Sequence, residues 1–268
     1  MTFRNTCILF LLMVFSKSVL AQDFKGIATY KSYRKIDLQS NDNQSDAVQK
    51  QIQEQLQKQM QRAYTLTFTR NESIYKENEK LATPAPSSGG IKITVESSLD
   101  VLYKNMKANR YVEESDIFDK QFLVKDSLKN YNWKLVNETK SIGEYTCYKA
   151  TISEEVEKKS FIDGSLETVK EERITTAWYT PQIPVNNGPQ DFHGLPGLIL
   201  EINDGTLTLI CSKIIMNPKE SLEIKEPKKG KVVSQEKFDA IMKKKNKEMM
   251  DRMQSRKKDG SNVIIIGG

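Results

Sequence analysis

"YTLTFTR", residues 64–70, alternates without a break: Tyr64, Leu66 and Phe68 fall on one side of an extended chain, Thr65, Thr67 and Thr69 on the other. Successive side chains of a strand point to opposite faces, so this pattern dictates one buried and one wetter side. Similar stretches occur at Phe24–Tyr30, Ile91–Val95, Val101–Asn105, Arg110–Glu114, Phe122–Asp126 and Trp133–Leu135. They continue at Tyr145–Ile152, Arg173–Tyr179, Leu198–Ile202, Leu207–Cys211 and Leu222–Ile224. Many short strands joined by turns predict a mainly β, α+β protein built on a curved antiparallel sheet or a partly closed barrel. The regular strand–helix rhythm of a doubly wound fold is missing.

Two segments follow a helical period instead. Val48, Ile52, Leu56, Met60 and Ala63 share one narrow side, with glutamine and charged residues around the rest. Phe238, Ile241, Met242, Met249 and Met253 form an interrupted stripe within Gln235–Lys258. The expectation is two amphipathic helices packed on the sheet. "ATPAPSSGG", residues 82–90, reads as a non-helical connection. The β-branched run Val263–Ile266 near the C-terminus reads as a last strand on a sheet edge.

The N-terminus has the layout of a secretory signal peptide. Arg4 precedes the apolar run Cys7–Phe15, and Val19-Leu20-Ala21 offers small or modest residues before a cut after Ala21. Nine apolar residues fall well short of the ~20 that span a bilayer. The expected organisation is a signal peptide over 1–21, a β-rich domain over 22–234 with a helical insertion around 45–63, and a basic helix plus terminal strand over 235–268. The formal charge of the whole chain is +6. Lys228–Asp259 holds twelve Lys/Arg against five Asp/Glu, so the basic character concentrates there. Lys243, Lys244, Lys245, Lys247, Arg252, Arg256, Lys257 and Lys258 are its candidate contacts with an anionic membrane surface or an acidic partner. A solvated lysine-rich helix face accounts for the same residues.

"DFHGLPGLIL", residues 191–200, holds the only histidine. Leu195-Pro196-Gly197-Leu198 has the residues of a type II turn, with proline at its second place and glycine at its third. Leu198, Leu200 and Ile202 then share one strand face. The glycines lack the spacing of a dinucleotide or phosphate loop, and no cofactor is implied.

Around this stretch the sequence resembles the GLPGLI family of exported bacterial proteins, named for the string at Gly194–Ile199. Further resemblance lies in Trp133, in Lys140-Ser141-Ile142-Gly143 leading to Tyr145, Cys147, Lys149 and Ala150, and in Ala177-Trp178-Tyr179, Ile183-Pro184 and Gly188-Pro189. The resemblance implies a Bacteroidetes-type protein of the periplasm or outer membrane. The family supplies no reaction and no catalytic residues to carry over.

Candidate sites follow from residue chemistry. The turn motif His193, Gly194, Leu195, Pro196, Gly197, Leu198 and Ile199 reads as architectural. Asp191 and His193 would support acid–base chemistry only if they met a nucleophile in a pocket, and one histidine excludes a multi-histidine zinc site. Trp178, Tyr179, Ile183 and Pro184 are a candidate apolar groove or the cover of a sheet core. Cys147 and Cys211 either pair in an oxidising compartment or fill the core as separate thiols. Glu154, Glu155, Glu157, Glu171 and Glu172 read as solvated strand ends rather than a glycosidase pair. Nucleic acid is not expected, because no reader motif accompanies the basic residues. The leading expectation is a non-enzymatic envelope protein that binds an apolar ligand or an envelope protein through a sheet face. An interaction module using the basic helix stands second and an uncharacterised hydrolase third.

Overall fold

A computed structural model describes residues 24–35, 57, 60–79, 100–117, 120–162 and 165–257. Twelve strands form one sheet: β1 (Lys25–Arg34), β2 (Ala63–Thr69), β3 (Glu72–Glu77), β4 (Val101–Asn105), β5 (Arg110–Ile117), β6 (Lys120–Ser127), β7 (Lys134–Ile142), β8 (Tyr145–Ile162), β9 (Ser165–Thr180), β10 (Leu198–Asn203), β11 (Leu207–Met216) and β12 (Lys231–Val233). One helix, α1 (Gln235–Lys257), follows. The strand order is β12-β6-β5-β4-β3-β2-β1-β11-β10-β9-β8-β7. Two meanders, β1–β6 and β7–β11, are therefore sewn together by the β1–β11 pairing. Every pairing is antiparallel except that of β12 with β6.

This corrects the expected fold. The sheet is open: β12 ends it on one side and β7 on the other, and these edges do not pair, so it is not a barrel. Among the described residues α1 is the one helix with a continuous run, where two were expected. Most of the expected Val48–Ala63 helix lies outside the described residues; Gln57 and Met60 are helical, and Ala63 already belongs to β2. Leu222–Ile224 is not a strand. Ile224 instead packs over Tyr103, Val112 and Leu123, and Glu226 pairs with Arg110 at 2.7 Å, so this segment covers the outer face of β4–β6. The expected signal peptide over 1–21, the connection at 82–90, and the expected strands Ile91–Val95 and Val263–Ile266 lie outside the described residues.

The sheet also has to bend. Leu128–Trp133 carries the chain from β6 to β7, which are ten strand spacings apart in the sheet. At ~4.8 Å per spacing a flat sheet would separate them by ~48 Å. The connection reaches only ~25 Å at ~3.6 Å per residue. Its inner face consequently wraps a core of Ala28, Tyr30, Leu66, Phe68, Tyr75, Leu102, Leu198 and Leu200, with Ile183 and Val185 of the β9–β10 connection laid across it. The buried Tyr30 hydroxyl donates to Ile199 O at 2.7 Å, tying β1 to that connection's exit. Beyond Thr151 and before Thr176, β8 and β9 pair only with each other, leaving a two-stranded ribbon that projects from the sheet.

Ser234 caps α1, its hydroxyl accepting from Lys237 N at 3.4 Å. Asp126 on β6 accepts from Gln235 N at 3.1 Å. A carboxylate suits orphan donors at a helix N-terminus. Phe238, Ile241 and Met242 pack on Phe122, Val124 and Val233, closing the inner face at its β6 end.

Candidate functional site

The β9–β10 connection is held by three short i→i+2 backbone bonds: Val185 N to Ile183 O at 2.8 Å, Asn187 N to Val185 O at 2.9 Å, and Gly197 N to Leu195 O at 2.8 Å. The third overturns the expected type II turn. A bond spanning Pro196 alone is an inverse γ-turn, which the fixed φ of proline suits. Gly197 does not have positive φ. It is glycine because a Cβ there would lie 2.2 Å from Thr180 O, at the end of β9. Gly194, by contrast, does take the left-handed region, at φ 98°.

Lys104 on β4 anchors this connection. Its side chain is fully buried, and Nζ donates to Gln190 O at 2.6 Å, Gly188 O at 3.0 Å and Phe192 O at 3.3 Å. Burial pulls its pKa down to about 7, while Asp191 works the other way. Three acceptors match the three N–H bonds of an ammonium, so the geometry is that of the charged form. Tyr131 and Trp133, on the β6–β7 connection, clasp the loop from outside. Tyr131 stacks on Phe192 at 5.4 Å and bonds to Asp191, and Trp133 Nε1 donates to His193 O at 2.8 Å.

His193 is part of this clasp. Its ring is buried, sits edge-on to Tyr131 at 5.5 Å, and has Nδ1 2.8 Å from Asp191 O. Burial lowers its pKa, so the imidazole is neutral at pH 7. Leu195, Leu198 and Ile199 are core residues. Ile183 and Tyr179 are also buried, Pro184 is exposed, and Trp178 lies under Lys140 Nζ at 4.4 Å. These four residues of the expected groove line neither cavity described below.

Cys147 and Cys211 are free thiols packed against one core. Burial pushes them up to about 11 and about 12, leaving both protonated at neutral pH. The glutamates at 154, 155, 157, 171 and 172 lie on the projecting ribbon, where Glu155 pairs with Lys170 at 2.6 Å. On α1, Lys243, Lys244 and Lys247 are exposed, and Lys245 pairs with Glu248 at 2.9 Å. Arg252, Arg256 and Lys257 belong to α1 without described side chains, and Lys258 lies outside the described residues.

A cavity of about 820 Å³ opens on the inner face between β2–β6, the start of α1, and Gln190–Asp191. Tyr64, Tyr75 and Tyr111 line it with Leu102 and Leu128. The rings of Tyr64 and Tyr75 stack at 5.2 Å. Six carboxylates share the walls: Glu77, Asp100, Glu113, Asp126, Asp191 and Asp239. Against them stand Lys104, committed to its carbonyls, and Lys129, bonded to Glu154 at 2.6 Å. Burial, with added repulsion from Asp100 and Asp191, pushes the Glu113 carboxyl up to about 7. The site therefore holds more negative charge than its dielectric favours, and a proton on Glu113 relieves it. The Tyr75 hydroxyl is buried in this wall without a hydrogen-bond partner among the described residues. A smaller cavity of about 210 Å³ lies behind the same Lys129, Gln190 and Asp191. No group of three metal-ligating side chains occurs among the described residues.

Sequence reasoning singled out Asp191 but missed Lys104, Glu113, Tyr75 and their neighbours. A signal existed: in Val101–Asn105 the alternation puts Lys104 on the same face as Leu102, and a lysine on a core-facing parity invites the question of its partner.

Residues 133–201, from the clasp through β7, β8, β9 and the first four residues of β10, match a family described as "Protein of unknown function (Porph_ging)". Among curated proteins none matches the chain. Of solved structures, PNGF-II in a C2 and in a P21 crystal form is similar at 13% and 14% identity, with TM-scores of 0.49 and 0.48. Each comparison covers 81% of this chain but only 32% and 33% of PNGF-II, so the chain spans about a third of that protein's length. The similarity to the Porph_ging family covers the segment that holds the carbonyl cradle for Lys104, and it begins only after the strands that carry Glu77, Asp100, Glu113 and Asp126.

Proposed function

We propose that this is an exported binding protein of GLPGLI type whose inner-face cleft captures a small organic cation. The carrying observation is the cleft wall, with six carboxylates facing two lysines that are already engaged. Tyrosine faces add a second attraction for a cation, worth ~0.5–2 kcal/mol at such sites. The Glu113 proton marks where a ligand's positive charge would be accepted in its place. The walls argue for a charged ligand rather than the apolar one that the sequence suggested. Export with cleavage after Ala21, and a periplasmic or outer-membrane location, rest on the N-terminal sequence and the GLPGLI resemblance.

Titration calorimetry with tetramethylammonium, 1-aminobutane and the neutral 1-butanol tests the reading. The cations should bind, the alcohol should not, and affinity should fall as pH drops below about 7 and Glu113 takes its proton. Equal binding of amine and alcohol, or binding of neither cation, would overturn it.

A second reading rests on α1, which turns Lys243, Lys244 and Lys247 to solvent while Phe238, Ile241 and Met242 face the sheet. Such a helix suits an anionic surface or acidic partner. Co-sedimentation with anionic vesicles that vanishes in high salt would favour it.

A further inference from the structure

We propose that the cation is a linear aliphatic diamine or longer oligoamine, extended across the strands rather than seated at one point. The inference rests on the organic-cation reading above and narrows it. The register sets the carboxylates in a line. Lys76 pairs with Val101, so the next step outward places Glu77 opposite Asp100. Leu102 pairs with Glu113, so Asp100, two residues before Leu102, is diagonal to Glu113. Glu113 pairs with Val124, so Asp126 is diagonal to it in turn.

The result is a staircase of four carboxylates, one each at β3, β4, β5 and β6, all on the cavity side. Opposite neighbours in a sheet lie roughly 4.5–5.5 Å apart and diagonal ones roughly 7–8 Å. Amines separated by three or four methylenes repeat on that scale, and a point cation does not. Glu77 also meets Arg62 at 3.2 Å, and Asp126 accepts from the N-terminus of α1. Asp100 and Glu113 form the middle pair.

An independent feature marks the same wall as a ligand surface. The Tyr75 hydroxyl, 5% exposed as a residue, lines the cavity with no hydrogen-bond partner among the described residues. Tyr75 shares a row with Leu102 and Glu113 and is diagonal to Asp100 on its β3 side, so an ammonium at Asp100 has the phenol oxygen as a further acceptor, while Leu102, between Tyr75 and Glu113, covers methylenes.

Titration calorimetry of the purified full chain at low salt, comparing 1,4-diaminobutane with 1-aminobutane, tests the proposal. The diamine should bind at least tenfold tighter and lose affinity more steeply with added salt. Asp100→Asn and Glu113→Gln should each bring the diamine down to the monoamine's affinity, with thermal melts showing the variants folded. Equal affinities for the two amines in the unmodified protein would overturn the oligoamine inference and leave the organic-cation reading standing. Binding of neither amine would overturn both. Because that comparison needs no variant, it decides the matter even if a substitution impairs folding.

Discussion

Lys104 and Glu113 face one cavity with opposite burdens. Lys104 is a buried cation that found three carbonyl partners, whereas Glu113 is a buried acid pressed by other acids. Their linkage to stability has opposite signs. Glu113 has a folded pKa raised from 4.5 to about 7. The folded protein therefore holds the extra proton between those values, and stability falls as pH rises through them. Lys104, lowered from 10.5 to about 7, gives a contribution that grows as pH rises from about 7 towards 10.5. Glu113→Gln removes the first effect. Denaturant unfolding should find the variant more stable than the parent at pH 8, by on the order of 2–3 kcal/mol, and close to it at pH 4.5. A parent and variant that run parallel across that window would mean Glu113 titrates normally.

The β9–β10 connection shows what an element's fit demands of one residue. Leu198 N bonds to Ile183 O at 2.9 Å and Ile199 N to Asn187 O at 2.9 Å, so the connection folds back on itself before β10 begins. Gly197 lies against the backbone of Thr180 with no room for a methyl group. Gly197→Ala must push β10 away from the end of β9, because the obstructing atoms are backbone and cannot rotate aside. A loss of at least ~2 kcal/mol is expected, read as a lowered thermal midpoint. An unchanged midpoint would mean the strand end yields freely. The same packing explains the corrected turn: glycine was legible as necessary at position 197, but from sequence its reason looked like backbone angle, when it was contact.

At the scale of the molecule, β1 is the seam. It bonds to β2 on one side and β11 on the other, so it alone joins the two meanders within the sheet. A chain starting at residue 36 would expose two long unpaired edges. It should lose cooperative thermal unfolding and aggregate; a soluble product with a sharp transition would show that the meanders are independent units. Alternation in stretches such as Tyr64–Arg70 and Leu198–Ile202 sufficed to place strands, because side-chain direction in a strand is a local property of the backbone. The helical stripe of Phe238, Ile241 and Met242 was readable for the same reason. Glu72–Glu77 and Lys231–Val233 escaped notice: the first buries three residues in a row, and the second is three residues long, so neither shows a local period. Whether the sheet stays open, which meander edges meet, and that Glu77, Asp100, Glu113 and Asp126 fall into one line are matters of register between distant segments. Local periodicity carries no information about register. Pairing energy and the six-residue reach of Leu128–Trp133 decided it, and with it the site.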